Sequence, residues 1–378
     1  MPTNVSGPAN LTNWNKSVLF TAARLVFPVD ISDIQAGRMV ARVQAGVTLL
    51  QLHAYLALRG LECSFAPEIG DATVGSLASS TSKDSSLAAP GFFAALVASI
   101  TFVDEDGELV MLDRAANAAA LEDYTSSFSM RGITVELTLV VRPAALIRTV
   151  TTSLPTNAAL PAALLRLRAE ADSMWAAVGL DGAIVEQRWR LPPDSGNFTS
   201  AESLVEFYRS YRFNMFSQGR YDQAGTVLPK VAPVHLTHHR YQLVNHYTPV
   251  TAEQPRLDFS YFEYPDLLDF ERAVAALLRF ARGFCDRTGF APGAFALYFV
   301  QRTGRRHARL NYGGPPGWSF VFDPISDDPA EPRWADFCAQ LLPLARSLGA
   351  RLLTSIFLHL LAKDAPAPSG TWQLGAST

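Results

Sequence analysis

Between Met39 and Gly60 the chain spells out a strand, a tight turn and a capped helix without a wasted residue. Met39-Val40-Ala41-Arg42-Val43-Gln44 alternates and predicts a strand, which Ala45-Gly46 turns. Thr48-Leu49-Leu50-Gln51 is a capping box, with Thr48 as N-cap and Gln51 reaching back from the third helical position. The helix should run to about Arg59, with Leu49, Leu52 and Leu56 on one face, and Gly60 supplies the left-handed residue that closes it. A strand feeding straight into a helix with one apolar face reads as part of an α+β unit.

The surrounding sequence extends this unit to residues 39–143. A turn-rich stretch with many Ser and Thr runs from Ala66 to Pro90, and Leu96 to Val103 predicts a strand. Asp106-Gly107 predicts a tight hairpin into Leu109–Leu112, and Ile133 to Val141 predicts a further strand stopped by Pro143. From Ile147 the character changes. Ile147–Ser153 reads as β, Ala159–Val178 as a helix, and Thr199-Ser200-Ala201-Glu202 as a second capping box opening a helix through Tyr208. Leu257–Tyr264 reads as a strand, followed by a long amphipathic helix from Pro265-Asp266 to Arg287. Strands are then expected at Phe295–Arg302, Ala308–Tyr312 and Ser319–Asp323, with a helix at Trp334–Leu348 strained by Pro343. The fold class is α+β, with a first domain at 1–146, a second at 147–363 made of two strand–helix–strand halves, and a Pro/Ser/Gly-rich tail at 364–378.

Composition narrows the function classes. Net charge is −3, with 32 Lys+Arg against 35 Asp+Glu, which lacks the positive excess of a general nucleic-acid binder. No run of about 18 apolar residues is present, so no transmembrane helix is expected. Cys63, Cys285 and Cys338 are odd in number and far apart, which argues against a disulfide framework or a zinc ribbon. Met1–Leu11 is polar and carries no signal-peptide pattern, so a reducing cytoplasm is the expected compartment. The basic residues are nearly all arginine, and the lysines are Lys16, Lys83, Lys230 and Lys363.

The most specific passage is a series of three motifs in order. Val43-Gln44-Ala45-Gly46-Val47-Thr48 leads the capped helix. Ala66-Pro67-Glu68-Ile69-Gly70-Asp71-Ala72-Thr73-Val74-Gly75-Ser76-Leu77-Ala78 follows, running on through Ser79–Ser86, and Arg131-Gly132-Ile133-Thr134-Val135-Glu136-Leu137 comes last. This order resembles the PCMH-type FAD-binding domain of the vanillyl-alcohol oxidase/p-cresol methylhydroxylase flavoproteins. Physically, Gly75 and its small neighbours allow backbone to approach a flat or phosphate-bearing ligand, and loop hydroxyls and N–H groups satisfy anionic oxygens. An ordinary Ser/Gly surface loop is the alternative reading of any one motif alone.

The resemblance implies a substrate-capping second domain and a non-covalently held FAD acting on a small-molecule alcohol, amine or related substrate. It places Pro67, Thr73, Gly75, Ser76, Ser79, Ser80, Lys83, Gly132 and Ile133 around the flavin. The sequence also departs from the family. Leu25-Val26-Phe27-Pro28-Val29-Asp30-Ile31-Ser32-Asp33-Ile34 resembles the start of a further N-terminal subdomain, but Gln35-Ala36-Gly37-Arg38 then runs directly into the strand at Met39. The Gly-rich turn that supplies N–H groups to the pyrophosphate is missing between residues 34 and 39, and with it the Gly-His-Ser histidine that some members link to flavin. Ser76 also replaces the second glycine of the family's Thr-Val-Gly-Gly loop. Buried phosphate charges need donors, and a shortened sheet is expected to leave an edge uncovered. A flavin-free descendant acting as a small-molecule binding module or non-redox catalyst, and a non-functional remnant, are therefore the alternatives.

Elsewhere, Ser260-Tyr261-Phe262-Glu263-Tyr264 alternates, placing Tyr261 and Glu263 on one strand face as the expected substrate-contact or proton-transfer residues. An amphipathic strand with a solvated Glu is the plain alternative. His235, His238, His239 and His246 cluster in sequence, but the His-Glu-x-x-His pattern is absent. They are expected to form a polar aromatic wall, with no metal. Tyr208, Arg209, Tyr211 and Arg212 could meet an anionic substrate or simply lie on a helix surface. Thr303-Gly304-Arg305-Arg306-His307 reads as a hairpin loop, and Gly313-Gly314-Pro315-Pro316-Gly317 as a turn with no phosphate-loop lysine after it.

Overall fold

The structure is a computed structural model. It describes residues 3–5, 9–12, 19–22, 25–27, 31–35, 39–64, 72–80, 82–87, 90–125, 127, 129–191, 235–240, 258–259, 262–304, 314–326 and 331–352. The strands are β1 (Thr3–Val5), β2 (Ala9–Thr12), β3 (Leu19–Ala22), β4 (Leu25–Phe27), β5 (Ile31–Gln35) and β6 (Val40–Gln44). Helix α1 (Leu49–Ala57), β7 (Leu61–Glu62), α2 (Val74–Ser79), β8 (Val97–Val103), β9 (Leu109–Asp113), α3 (Arg114–Tyr124), β10 (Ile133–Val140) and β11 (Arg142–Pro143) complete the first domain. The second holds β12 (Leu146–Pro155), α4 (Leu160–Ala169), β13 (Ser173–Val178), β14 (Gly182–Leu191), β15 (His235–Arg240), β16 (Asp258–Phe259) and β17 (Phe262–Tyr264). It continues through α5 (Phe270–Thr288), β18 (Ala294–Arg302), β19 (Gly317–Ser326), α6 (Pro332–Ser347) and β20 (Arg351–Leu352).

The first domain is built on a five-stranded antiparallel sheet in the order β5-β6-β10-β8-β9. The capping box at Thr48 is formed in both directions, with Thr48 N donating to Gln51 Oε1 at 2.9 Å and Gln51 N to Thr48 Oγ1 at 3.2 Å. It aims Leu49, Leu52 and Leu56 at Ala41, Val43, Leu137 and Leu139 on the inner sheet face, all of them buried. β5 pairs with β6 in antiparallel register, Ile31 opposite Val43 and Gln35 opposite Val40, and is itself the outermost strand on that side. β5 thereby satisfies the hydrogen-bonding groups on that side of β6.

The second domain is one nine-stranded antiparallel sheet in the order β15-β12-β14-β13-β18-β19-β17-β20, with β16 also on β19. Its two halves, β12-α4-β13-β14 and β17-α5-β18-β19, merge through the β13–β18 pairing. Helices α4, α5 and α6 cover one face, where Phe270, Phe284, Phe299, Phe320, Phe322 and Phe337 anchor an apolar core. Phe284 meets Phe337 edge-on with centroids 5.3 Å apart, the geometry aromatic quadrupoles prefer.

Several sequence expectations are corrected. The Ser/Thr stretch before Pro90 contains helix α2, capped by Thr73. Alanine-rich α3 follows β9 at once, where no helix was expected. The helix expected over Ala159–Val178 ends at Ala169, and Ser173–Val178 is instead a strand buried at every position. The strand expected over Ile133–Val141 is β10, and a separate two-residue strand, β11, pairs with β7 and ends at Pro143. The expected helix after Thr199, the strand at Ala308–Tyr312 and the tail lie outside the described residues.

Candidate functional site

One face of the large sheet packs on the helices, and the other is polar and buried. Across it Glu186 stands opposite Trp175, Trp175 opposite Tyr298, Tyr298 opposite Val321, Val321 opposite Glu263, and Glu263 opposite Arg351. Opposed residues share a face, as do their neighbours two positions along, so Arg188, Ser173, Ser319, Asp323 and Arg302 belong to the same surface. Glu186, Arg188, Glu263, Asp323, Ser319 and Arg302 are all buried. Charged side chains are placed there only where partners or a ligand meet them.

The first domain lays its serine-rich loop over this face. Lys83 Nζ lies 2.8 Å from Asp323 Oδ2 and 5.0 Å from the centre of the Tyr298 ring. Asp323 Oδ1 accepts the backbone N–H of Phe262 at 2.8 Å. Further along, the Ser85 and Ser173 hydroxyls are 2.8 Å apart, Arg188 Nη1 donates to Ser85 Oγ at 3.3 Å, and Met174 N donates to Ser85 O at 2.9 Å. Arg188 also pairs with Glu186. A second junction centres on Glu62, which takes Arg142 Nε at 2.7 Å, Arg190 Nη1 at 3.0 Å and Ala145 N at 3.1 Å. The first set of contacts fixes the loop against the sheet, and the second ties β7 and β11 to β14.

Burial sets the protonation of these groups. It pulls the Lys83 ammonium down and pushes the Asp323 carboxyl up to about 6, each opposed by attraction to the other. Burial likewise pushes the Glu263 carboxyl up, against the pull of a Ser319 Oγ hydrogen bond at 2.5 Å and of the nearby Arg351 and Arg302 charges. A carboxyl moved this way holds its proton to higher pH than an exposed one.

The sequence-picked residues fall into separate groups. Thr73 caps α2, its Oγ1 accepting Ser76 N at 3.4 Å, and Ser76 is exposed beside it. Ser79 is buried, donating to Gly75 O at 3.1 Å and accepting from Ser129 Oγ at 2.9 Å, which ties α2 to the turn before β10. The Ser80 and Ser82 hydroxyls are 2.6 Å apart. Ile133 is exposed at the end of β10. Lys83 meets Asp323 on the polar sheet face, the face that also carries Glu263. Pro67 and Tyr261 lie outside the described residues, as does His246. His235, His238 and His239 lie on β15, and no cluster of metal-binding side chains occurs among the described residues.

Two glycines do something other than open space. A Cβ on Gly75 would lie 2.8 Å from Ala45 Cβ, so its missing side chain lets α2 pack on the β6–α1 turn. Gly132 has φ +140°, and a Cβ there would lie 2.3 Å from Val103 O. What the sequence reading missed is the rest of the polar face: Trp175, Glu186, Arg188, Tyr298, Arg302, Ser319 and Asp323. Glu186, Arg188 and Arg190 alternate along β14, and Ser319 and Asp323 along β19, a period-two signal for a second, polar surface.

These features bear on whether FAD fits. Glu186 Oε2 and Arg302 Nε are buried without a hydrogen-bond partner, which fits a face meant to receive a polar group. In 39–143 every described Lys or Arg is engaged: Arg42 by Glu136, Arg59 by Tyr55, Lys83 by Asp323, Arg114 by backbone carbonyls, Arg131 by Asp123 and Arg142 by Glu62. The two orphaned atoms could each pair with a polar group of a flavin, whereas each of these cations already has a protein partner.

Residues 22–113 match the model of the FAD binding domain. The Delta(24)-sterol reductase homolog dhcr-24 of Caenorhabditis elegans is 34% identical over 101 residues, 26% of this chain and 19% of that protein. The chain therefore matches about a fifth of that relative's length. Two solved structures share the fold across both domains, each with a TM-score of 0.62. A solvent-stable cholesterol oxidase is 16% identical, covering 85% of this chain and 72% of its own. The His121Ala variant of the cholesterol oxidase from Brevibacterium sterolicum is 13% identical, covering 92% and 86%. Residues 22–113 thus match an FAD binding domain, and the chain shares its overall fold with these two cholesterol oxidases.

Proposed function

We propose that this protein is an FAD-dependent oxidoreductase, oxidase or dehydrogenase, acting on a small-molecule alcohol, amine or related substrate. The observation that carries the reading is the buried polar face of the cap sheet, held against the FAD-binding domain by Lys83 and Asp323. When bound, FAD supplies a hydride acceptor, and the protein supplies orientation and electrostatics. The cofactor-facing set is Pro67, Thr73, Gly75, Ser76, Ser79, Ser80, Lys83, Gly132 and Ile133. Within it the Thr73, Ser76 and Ser80 hydroxyls meet anionic oxygens, while Gly75 and Gly132 set the spacing of α2 and β10. Tyr261 and Glu263 are the substrate-side pair. Glu263, buried and bonded to Ser319, holds a proton at its carboxyl and exchanges it with the reacting group.

The β5–β6 hairpin favours a second reading, since it stands where the family places its pyrophosphate turn. In that reading the fold persists without flavin as a small-molecule binding module or non-redox catalyst. Purification with and without added FAD separates the two. A visible flavin band that co-elutes with the protein, and bleaches when an alcohol or amine from a panel is added without oxygen, supports the oxidoreductase. A folded, colourless protein that ignores FAD overturns it.

A further inference from the structure

Glu186 lies on β14 with 1% of its surface exposed. Its Oε1 takes the Arg188 guanidinium, and Arg188 also reaches Ser85 Oγ at 3.3 Å. Its Oε2 is buried and accepts no hydrogen bond. In its ion pair with Arg188 the side chain is acceptor-only at both oxygens. Trp175 stands beside it on β13, and the Trp175 ring tilts toward that of Tyr298 with centres 6.5 Å apart. Two positions along the same face come Ile184, Ala177 and Ala296, opposed in register and each at most 3% exposed. None of those three side chains carries a donor, and the two alanines stop at Cβ, so the face recedes beside the carboxylate.

We propose that Glu186 Oε2 is an acceptor subsite for an N–H or O–H donor of a ring-bearing organic ligand. A carboxylate oxygen buried without a donor carries the full cost of its desolvation. A ligand donor that meets it makes a charge-assisted hydrogen bond, stronger than one between neutral groups. The Trp175–Tyr298 pair beside it offers flat apolar contact to a ring, and the alanines leave room for one. Two donors of this kind belong to the oxidoreductase reading given above, on which the proposal rests. One is the ring N–H of an oxidised flavin, the other the hydroxyl or amine of the substrate.

The test uses the full chain, wild type and Glu186→Gln, with two pairs of probes that each differ by one donor. The flavin pair is FAD and FAD methylated at its ring N–H, with retained flavin read from the visible absorption band after equilibrium dialysis. The substrate pair is benzyl alcohol and benzyl methyl ether, read by isothermal titration. In Glu186→Gln the amide oxygen stays with Arg188 and the amide nitrogen takes the place of Oε2, so a donor replaces the acceptor. A wild-type preference for FAD of about tenfold or more, lost in the variant, supports the subsite with the flavin ring as occupant. The same preference for benzyl alcohol, lost in the variant, supports it with the substrate hydroxyl as occupant. No preference within either pair, or a preference unchanged in the variant, overturns it. A yellow chain without either preference loses the subsite and keeps the oxidoreductase reading, while a colourless one that prefers benzyl alcohol does the reverse. If circular dichroism shows that Glu186→Gln does not fold, Glu186→Asp replaces it, since it keeps the charge and draws both oxygens back by one methylene.

Discussion

Lys83 and Asp323 are 240 positions apart in sequence and 2.8 Å apart in space, both side chains nearly sealed from solvent at 8% and 1% exposure. Their contact is where the serine-rich loop of the FAD-binding domain is pinned to the middle of the nine-stranded sheet. Asp323 also receives the Phe262 N–H, so one carboxylate joins the loop, β19 and the start of β17.

Breaking this pair from one side leaves the other charge buried and alone. Lys83→Met should destabilise the protein by about 3–5 kcal/mol in urea unfolding. The double variant Lys83→Met/Asp323→Asn should recover most of that loss. A single variant as stable as the wild type would show that the pair does not hold the domains together.

The upward shift of Asp323 gives a pH dependence of defined sign. Its folded-state value, about 6, lies above its ordinary 3.8, so the folded chain binds the extra proton. The stability from this group is therefore fully present below about pH 4 and lost as pH rises through about 6. Comparing melting temperatures of the wild type and Asp323→Asn between those limits isolates it. The difference between the two curves should change across the window, and a constant difference would refute the assignment.

Gly75→Ala should cost roughly 1–3 kcal/mol, because the added methyl meets Ala45 at 2.8 Å and α2 must lift off the turn. Gly132→Ala should cost more, since the methyl would press on a backbone oxygen at 2.3 Å and φ of +140° suits no other residue. Denaturation midpoints rank the two, and equal midpoints would contradict the packing roles given to these glycines.

Glu263→Gln keeps the shape of the side chain and removes its proton exchange. If Glu263 handles the substrate proton, turnover should fall about 10²-fold or more, with flavin content unchanged. A fall in flavin content at normal turnover per flavin would assign Glu263 to cofactor binding instead.

Local patterns were read well where one residue type had one reason to be where it is. The Thr48–Gln51 box, the Asp106-Gly107 hairpin and the end of α5, expected at Arg287 and found at Thr288, all stand close to where spacing puts them. Ser173–Val178 misled because a strand buried on both faces has no period to separate it from a helix. Alanine-rich α3 lacks an apolar stripe, and only Leu121 and Tyr124 are buried in it. Glu263 was found through the alternation of its strand. Its partners were not, because Ser319, Arg302 and Arg351 reach it only once β17, β18, β19 and β20 pair.

By itself the sequence determined the α+β class, the capped strand–helix unit and the motif order of an FAD-binding domain. Each depends on side-chain spacing along a single element or loop. Tertiary structure alone decided that β5 pairs with β6, that Gly75 and Gly132 serve packing, and that Lys83 meets Asp323. Those outcomes depend on which strands lie side by side, and pairing is set by the burial of whole faces, which no local stretch of sequence records.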